Sequence, residues 1–189
     1  MIDPIPIIDT ERTVLTLPEP DQAGLLLDYV TANQDHLAPW EPERDEPYFT
    51  LEGCRTRLEL ARAGYEAGVS VQFCALNRDI SRMVGSCNFS NIVGGAFQAC
   101  TLGYSIALKD QGTGLMREIL AAGIGYMFQV RDLHRIMANH IPANHRSARL
   151  LESLGFQKEG YAQSYLNIDG RWQDHVLTAL INPSHPGGK

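Results

Sequence analysis

The sequence predicts a mixed α/β (α+β) fold, a mostly antiparallel central sheet of about seven strands flanked by helices on both faces. Three observations predict it. Strand-like runs follow one another directly at residues 69–76, 83–92 and 97–108. A glycine-rich turn and a long helical pattern succeed the last of these, over 113–129. The chain then closes on two strands, 156–168 and 172–180, joined by a turn at Asp169 and Gly170.

Taken in order, the first strand is expected at residues 10–17, where β-branched residues and leucines stop at Pro18 and Pro20. Asp21 is placed to cap a helix over 22–32, whose Leu25, Leu26, Tyr29 and Val30 recur at helical spacing. The stretch HLAPWEPERDEPYF holds three of the ten prolines and is expected to be irregular. Thr50 caps a second helix, to about residue 67, ended by Gly68. In the helix over 113–129, Leu115, Ile119, Ala122 and Tyr126 share one face. A short strand at 135–141 and a helix at 144–154, stopped by Gly155, lead to the closing strands. Residues 1–182 are expected to form one domain and 183–189 a flexible tail.

Composition bounds the function. With 189 residues, 44% hydrophobic and 20% charged, the chain belongs with globular proteins. A net charge of -6 argues against a nucleic-acid surface and for a basic or amine-bearing partner. Cys54, Cys74, Cys87 and Cys100 form no C-x-x-C pair and read as reduced, structural thiols. The start, MIDPIPIIDTER, has prolines and acids where a secretory signal needs a basic start and an apolar run. No apolar stretch is long enough to span a membrane, so a cytoplasmic protein without a membrane partner is expected. His140 and His145 flank a P-A-N turn with no carboxylate or cysteine at metal spacing, so no metal is expected.

The segment GYSIALKDQGTGLMREIL runs from strand through glycine loop to helix. Free amides at a helix N-terminus attract anions, and glycine lets a phosphate approach the backbone. Glycines that only shape a tight turn would give the same string. A dinucleotide fingerprint needs a third glycine where Arg117 stands, and a P-loop needs G-K-[ST] where Leu115 and Met116 stand.

The string Lys109, Asp110, Gln111, Gly112, Thr113, Gly114 resembles the pyrophosphate loop of the GNAT superfamily of N-acetyltransferases, with Lys109 in place of the usual glutamine or arginine. A second signature, Asn144 and Ser147 followed by L-G-F at Leu154–Phe156 and E-G at Glu159–Gly160, is similar to the same superfamily. The blocks HLAPWEPERDE, GSCNFSNIVGGAFQACTLGYSI, HRIMANHIPANHRSARLLESLGFQKEGYA and IDGRWQDHVLTAL narrow the resemblance to the bacterial RimJ-type ribosomal-protein-alanine acetyltransferases.

The resemblance implies a GNAT fold with acetyl-coenzyme A as cofactor. It implies that Lys109–Gly114, Leu115 and Met116 bind the pyrophosphate and that Tyr104, Ser105, Ile106 and Ala107 line the pantetheine with their backbone. One amide near Tyr104–Ile106 would face the thioester oxygen. Asn144 is implied as a pantetheine ligand, Arg146 and Arg149 as phosphate partners, and Ser147 as the acid for the departing thiolate; capping and surface charge are the plain alternatives. Glu41, Glu159 and Asp174 remain open as the base, with an ion pair to Lys158 or Arg171 the alternative for Glu159, and Trp40, Phe89, Asn91 and Tyr104 as substrate contacts, with core packing the alternative for Phe89. The implied acceptor is the N-terminal alanine of the fifth small-subunit ribosomal protein, free or within the subunit. A transferase for small amines or aminoglycosides and a non-catalytic acyl-coenzyme A binding assembly factor remain alternatives. Monomer and homodimer are both open.

Overall fold

The computed structural model describes residues 4–185. Its eight strands are β1 (Ile8–Asp9), β2 (Thr13–Thr16), β3 (Val71–Asn77), β4 (Met83–Val93), β5 (Ala99–Ile106), β6 (Arg135–Met137), β7 (Gln157–Ile168) and β8 (Arg171–Ile181). The helices are α1 (Ala23–Ala32), α2 (Gln34–Leu37), α3 (Leu51–Glu66), α4 (Leu115–Gln129) and α5 (His145–Ser153). One sheet runs in the order β1-β2-β3-β4-β5-β6-β8-β7, antiparallel except where β5 meets β6.

The expected first strand is divided. The Thr10 hydroxyl donates to the Thr13 carbonyl at 2.9 Å, closing a turn that makes β1 and β2 a small hairpin and brings the strand count to eight. Asp21 does not cap α1. A 3-10 turn at Pro20–Gln22 precedes it, and the Gln22 side chain accepts from the Glu19 amide at 2.9 Å. The proline-rich stretch takes in the end of α2 and two 3-10 turns rather than a fully irregular loop. Thr50 caps α3 by accepting from the Gly53 amide at 3.1 Å. Asp169 and Gly170, at φ 48° and 72°, make the β7–β8 turn. Of the expected tail, residues 183–185 turn back on Asn182, whose Oδ1 accepts from the Ser184 amide at 3.0 Å; 186–189 lie outside the described residues.

Strand alternation gives the sheet two apolar faces. On one, Phe73, Cys87, Phe89 and Leu102 pack with Ile119, Leu120 and Met127 of α4. Gly123 permits this approach, since a Cβ there would stand 2.7 Å from Cys87 Sγ and 3.1 Å from the Phe89 ring. On the other, Cys74, Leu76 and Met83 pack with Tyr29, Val30 and Leu58 of α1 and α3. Burial pushes the Cys74 and Cys100 thiols up to about 12, which leaves them protonated and unreactive at neutral pH.

The feature that positions the site is the short β5–β6 pairing. It spans Ala99, Cys100 and Thr101 against Arg135, Ile136 and Met137. Beyond Thr101, β5 runs on to Ile106 paired with β4 alone, so one backbone edge of its last five residues is left unpaired by the sheet.

Candidate active site

The loop after β5 is shaped from outside. Gly112 and Gly114 take φ of 74° and 77°, in the left-handed region that disfavours side chains. The Arg12 guanidinium donates to the Thr113 carbonyl at 3.0 Å and to Glu118 at 2.6 Å, while Arg82 holds Asp110 through two bonds of 2.7 and 3.2 Å. With the Thr113 carbonyl held outward by Arg12, the loop amides are left free. Those of Gly112, Thr113, Gly114 and Met116 donate to no other described residue. Two helix N-termini converge here, α4 after Gly114 and α5 after Asn144, which adds positive potential to a chain of net charge -6.

Asn144 caps α5, its Oδ1 accepting from the Ser147 amide at 3.0 Å. The Ser147 hydroxyl is thereby aimed at β5, where it meets the Tyr104 hydroxyl at 2.6 Å. Burial pushes the Tyr104 phenol up to about 12, partly offset by the bond to Ser147. Arg146 donates to the Gln111 side chain, which lies 3.1 Å from His36 Nε2. That nitrogen also lies 3.0 Å from the Ile106 carbonyl. One ring nitrogen cannot accept from Gln111 and donate to Ile106 at once, so the two contacts belong to different tautomers of the His36 ring.

These groups line a cleft of about 840 Å³, together with Trp40, Glu41, Leu115, Arg117 and Arg149. The size is that of a small-molecule or cofactor site, roughly 300–1,000 Å³. A second cleft, of about 430 Å³, is bounded by Tyr29, Glu41, Tyr48, Arg57, Ser86, Asn88 and Asp169. Leu37, Glu41 and Ser105 border both. Strand alternation explains the arrangement: Tyr104 points to the α5 side and Ser105 to the α1 side, so one step along β5 passes from one cleft to the other.

The description "Acetyltransferase (GNAT) domain" belongs to the family model that matches residues 12–157. The chain is a GNAT acetyltransferase. It is 47% identical over 182 residues to the [Ribosomal protein uS5]-alanine N-acetyltransferase of Escherichia coli (strain K12), covering 96% of this chain and 94% of that one. Among solved structures it resembles the ribosomal-protein-S5-alanine acetyltransferase of Vibrio fischeri, with TM-score 0.91 and 37% identity over 96% of this chain and 99% of that chain. It also resembles Mycobacterium smegmatis RimJ in complex with CoA-disulfide, with TM-score 0.88 and 28% identity over 99% of this chain and 91% of that chain.

In this GNAT acetyltransferase the sequence-predicted residues divide. Tyr104, Ser105, Ile106, Asp110, Gln111, Gly112, Gly114, Leu115, Met116, Asn144, Arg146, Ser147 and Arg149 come together around the larger cleft. Ala107 is buried in the core, Lys109 is exposed beside the loop, and the Thr113 hydroxyl turns back to the Asp110 carbonyl at 2.8 Å. Trp40 stands at the mouth of the larger cleft, 41% exposed.

Phe89 and Asn91, expected among the substrate contacts, line neither cleft. Phe89 is fully buried beneath α4, and Asn91, at φ 53°, sits exposed at a break in the β4–β5 register. Their neighbours Ser86 and Asn88 face the smaller cleft instead. A slip of one residue exchanges the faces of a strand, and the alternation S-C-N-F-S already separated polar from apolar positions. Two candidate bases also fall outside the clefts. Glu159 is exposed and ion-paired with Arg135. Asp174 accepts from Tyr161 at 2.6 Å and from the Ser164 amide at 2.8 Å, fixing an irregularity in β7. Among the described residues no group of three or more metal-ligating side chains is placed to hold an ion, and no helix is long and apolar enough to cross a membrane.

Proposed function

We propose that this enzyme transfers the acetyl group of acetyl-coenzyme A to the α-amino group of an N-terminal alanine on a small-subunit ribosomal protein in the cytoplasm. The observation that carries it is the junction of the two clefts at Ser105 and Glu41, in a chain so similar to an enzyme named for that acceptor. The larger cleft suits the cofactor. Free amides of Gly112, Thr113, Gly114 and Met116 and two helix N-termini match a pyrophosphate, Arg146 and Arg149 match further phosphates, and the open edge of β5 matches an extended amide-bearing arm. Gly112 leaves nothing within 4 Å of a Cβ position, which is room for close approach to the backbone.

When bound, acetyl-coenzyme A supplies the activated acyl group, and the residues supply position and proton handling. Glu41, on both clefts, takes the proton that the neutral amine releases as it attacks. An α-amino group has a pKa of about 8 against about 10.4 for lysine, so roughly 3 kcal/mol less is needed to neutralise it. Ser147 and Tyr104 face the departing sulfur. Full transfer from a phenol near 12 to a thiolate of pKa about 8.5 is uphill by roughly 5 kcal/mol. The pair therefore acts by donating a hydrogen bond to the developing charge, and water completes the protonation.

The test is incubation with acetyl-coenzyme A and peptides bearing a free or a blocked N-terminal alanine, read by mass. Gain of one acetyl group on the free peptide alone is expected. Acetylation of neither, with activity toward small amines, would replace the acceptor assignment.

A further inference from the structure

Three hydroxyls stand together on the α1 side of β5. Ser105 Oγ lies 2.8 Å from Tyr29 Oη and 2.8 Å from Ser86 Oγ. All three residues border the smaller cleft, and Ser105 also borders the larger one. Three hydroxyls carry three protons and make two hydrogen bonds among themselves, so one O–H remains to be donated outside the group. Tyr29 is 5% exposed with Ser105 as its hydroxyl partner, and with the phenol donating in that bond the outward O–H falls on Ser86 or Ser105. Lone pairs on the two serines remain free as acceptors.

We propose that the Tyr29–Ser105–Ser86 group is the seat of the acceptor's first residue, taking a hydrogen bond from its α-amino group and donating one to its first peptide carbonyl. The proposal rests on the acetyl-transfer function above and specifies its substrate class. A peptide N-terminus presents an N–H donor and a carbonyl acceptor separated by one carbon, which suits a cluster that offers one acceptor and one donor side by side. A lysine ε-amine has no carbonyl near its nitrogen and satisfies half of it. The seat acts through hydrogen bonds from the nitrogen's protons, so the nitrogen lone pair stays free to attack across Ser105 toward the larger cleft.

The experiment is steady-state kinetics of the full chain with acetyl-coenzyme A and two acceptors: a peptide with a free N-terminal alanine, and the same peptide N-terminally blocked but bearing one lysine. Ser105→Ala is expected to raise the KM for the alanine peptide at least tenfold and to narrow the preference for α- over ε-amine, with the KM for acetyl-coenzyme A within twofold. Ser105→Thr, which keeps the hydroxyl, is expected to restore most of the preference. Ser105→Ala also orphans the Tyr29 hydroxyl in a buried place, so the double variant Tyr29→Phe/Ser105→Ala, which leaves no unpaired phenol, is measured alongside it. An unchanged peptide KM and α-preference in the double variant would overturn the seat, as would a rise confined to the KM for acetyl-coenzyme A. Wild-type protein that acetylates neither peptide would instead overturn the acceptor assignment itself.

Discussion

The hydroxyls of Tyr104 and Ser147 stand 2.6 Å apart, joining the open end of β5 to the first turn of α5. The contact depends on Asn144, whose cap fixes the turn that carries Ser147. Tyr104→Phe and Ser147→Ala are each expected to lower kcat by about one to two orders of magnitude with the KM for acetyl-coenzyme A little changed, at or below the low end of what full general acid–base catalysis contributes, because the pair donates a hydrogen bond only. Because the two share one bond, the double variant should lose little more than either single one, which a double-mutant cycle measures.

The pH profile follows from the same pair. The rate rises with pH as an α-amine of pKa about 8 becomes neutral, and Tyr104 keeps its proton up to about 12. The kcat/KM profile should therefore climb through pH 8 and stay level to pH 10. A descending limb between pH 9 and 10 would show that the phenol is not held as described.

Gly112→Asp places a carboxylate where the pyrophosphate is expected, at a φ of 74° with nothing within 4 Å of the new Cβ. Left-handed strain of about 1–2 kcal/mol is tolerable, while the KM for acetyl-coenzyme A should rise at least tenfold. Calorimetry with coenzyme A checks it, and unchanged affinity would exclude the loop.

Arg12 reaches the same loop from β2's side of the molecule. Burial alone would raise the Glu118 carboxyl, but hydrogen bonds from Thr10 and from the Arg12 amide and guanidinium, with the Arg12 charge, hold it below the usual range. A depressed pKa gives stability that is present above the ordinary carboxylate value, about 4.3, and is lost as pH falls through the lowered one. Arg12→Ala is expected to cost about 1 kcal/mol or less of stability, since Arg12 is 43% exposed, yet to raise the KM for acetyl-coenzyme A several-fold by releasing Thr113. Denaturation at pH 7 and pH 4 alongside kinetics separates the two effects.

The three carboxylates proposed as bases separate cleanly. Glu41→Gln should lower kcat/KM at least tenfold, whereas Glu159→Gln and Asp174→Asn should stay within about threefold, because only Glu41 borders the clefts.

What the sequence made legible was local chemistry. The Thr50 and Asn144 caps, the Asp169–Gly170 turn and the positive-φ glycines 112 and 114 are each decided within four residues. What it hid depends on distant partners. Arg12 meets Glu118 across 106 positions and Tyr29 meets Ser105 across 76, and neither strand nor helix periodicity carries such a pairing. The face of Phe89 is also set at a distance, by Gly123 letting α4 close over Cys87 and Phe89. Glu159 lies 24 positions from Arg135 in sequence, and only the fold brings the two together.

Direct attack requires both substrates to be bound together, one on each side of β5. Inhibition by a conjugate that joins the coenzyme A sulfur, through an acetyl bridge, to the α-nitrogen of an alanine-terminated peptide tests this most directly. The conjugate is predicted to bind at least a hundredfold tighter than coenzyme A and to compete with acetyl-coenzyme A and with the peptide alike. Competition with acetyl-coenzyme A alone, at the affinity of coenzyme A itself, would contradict it.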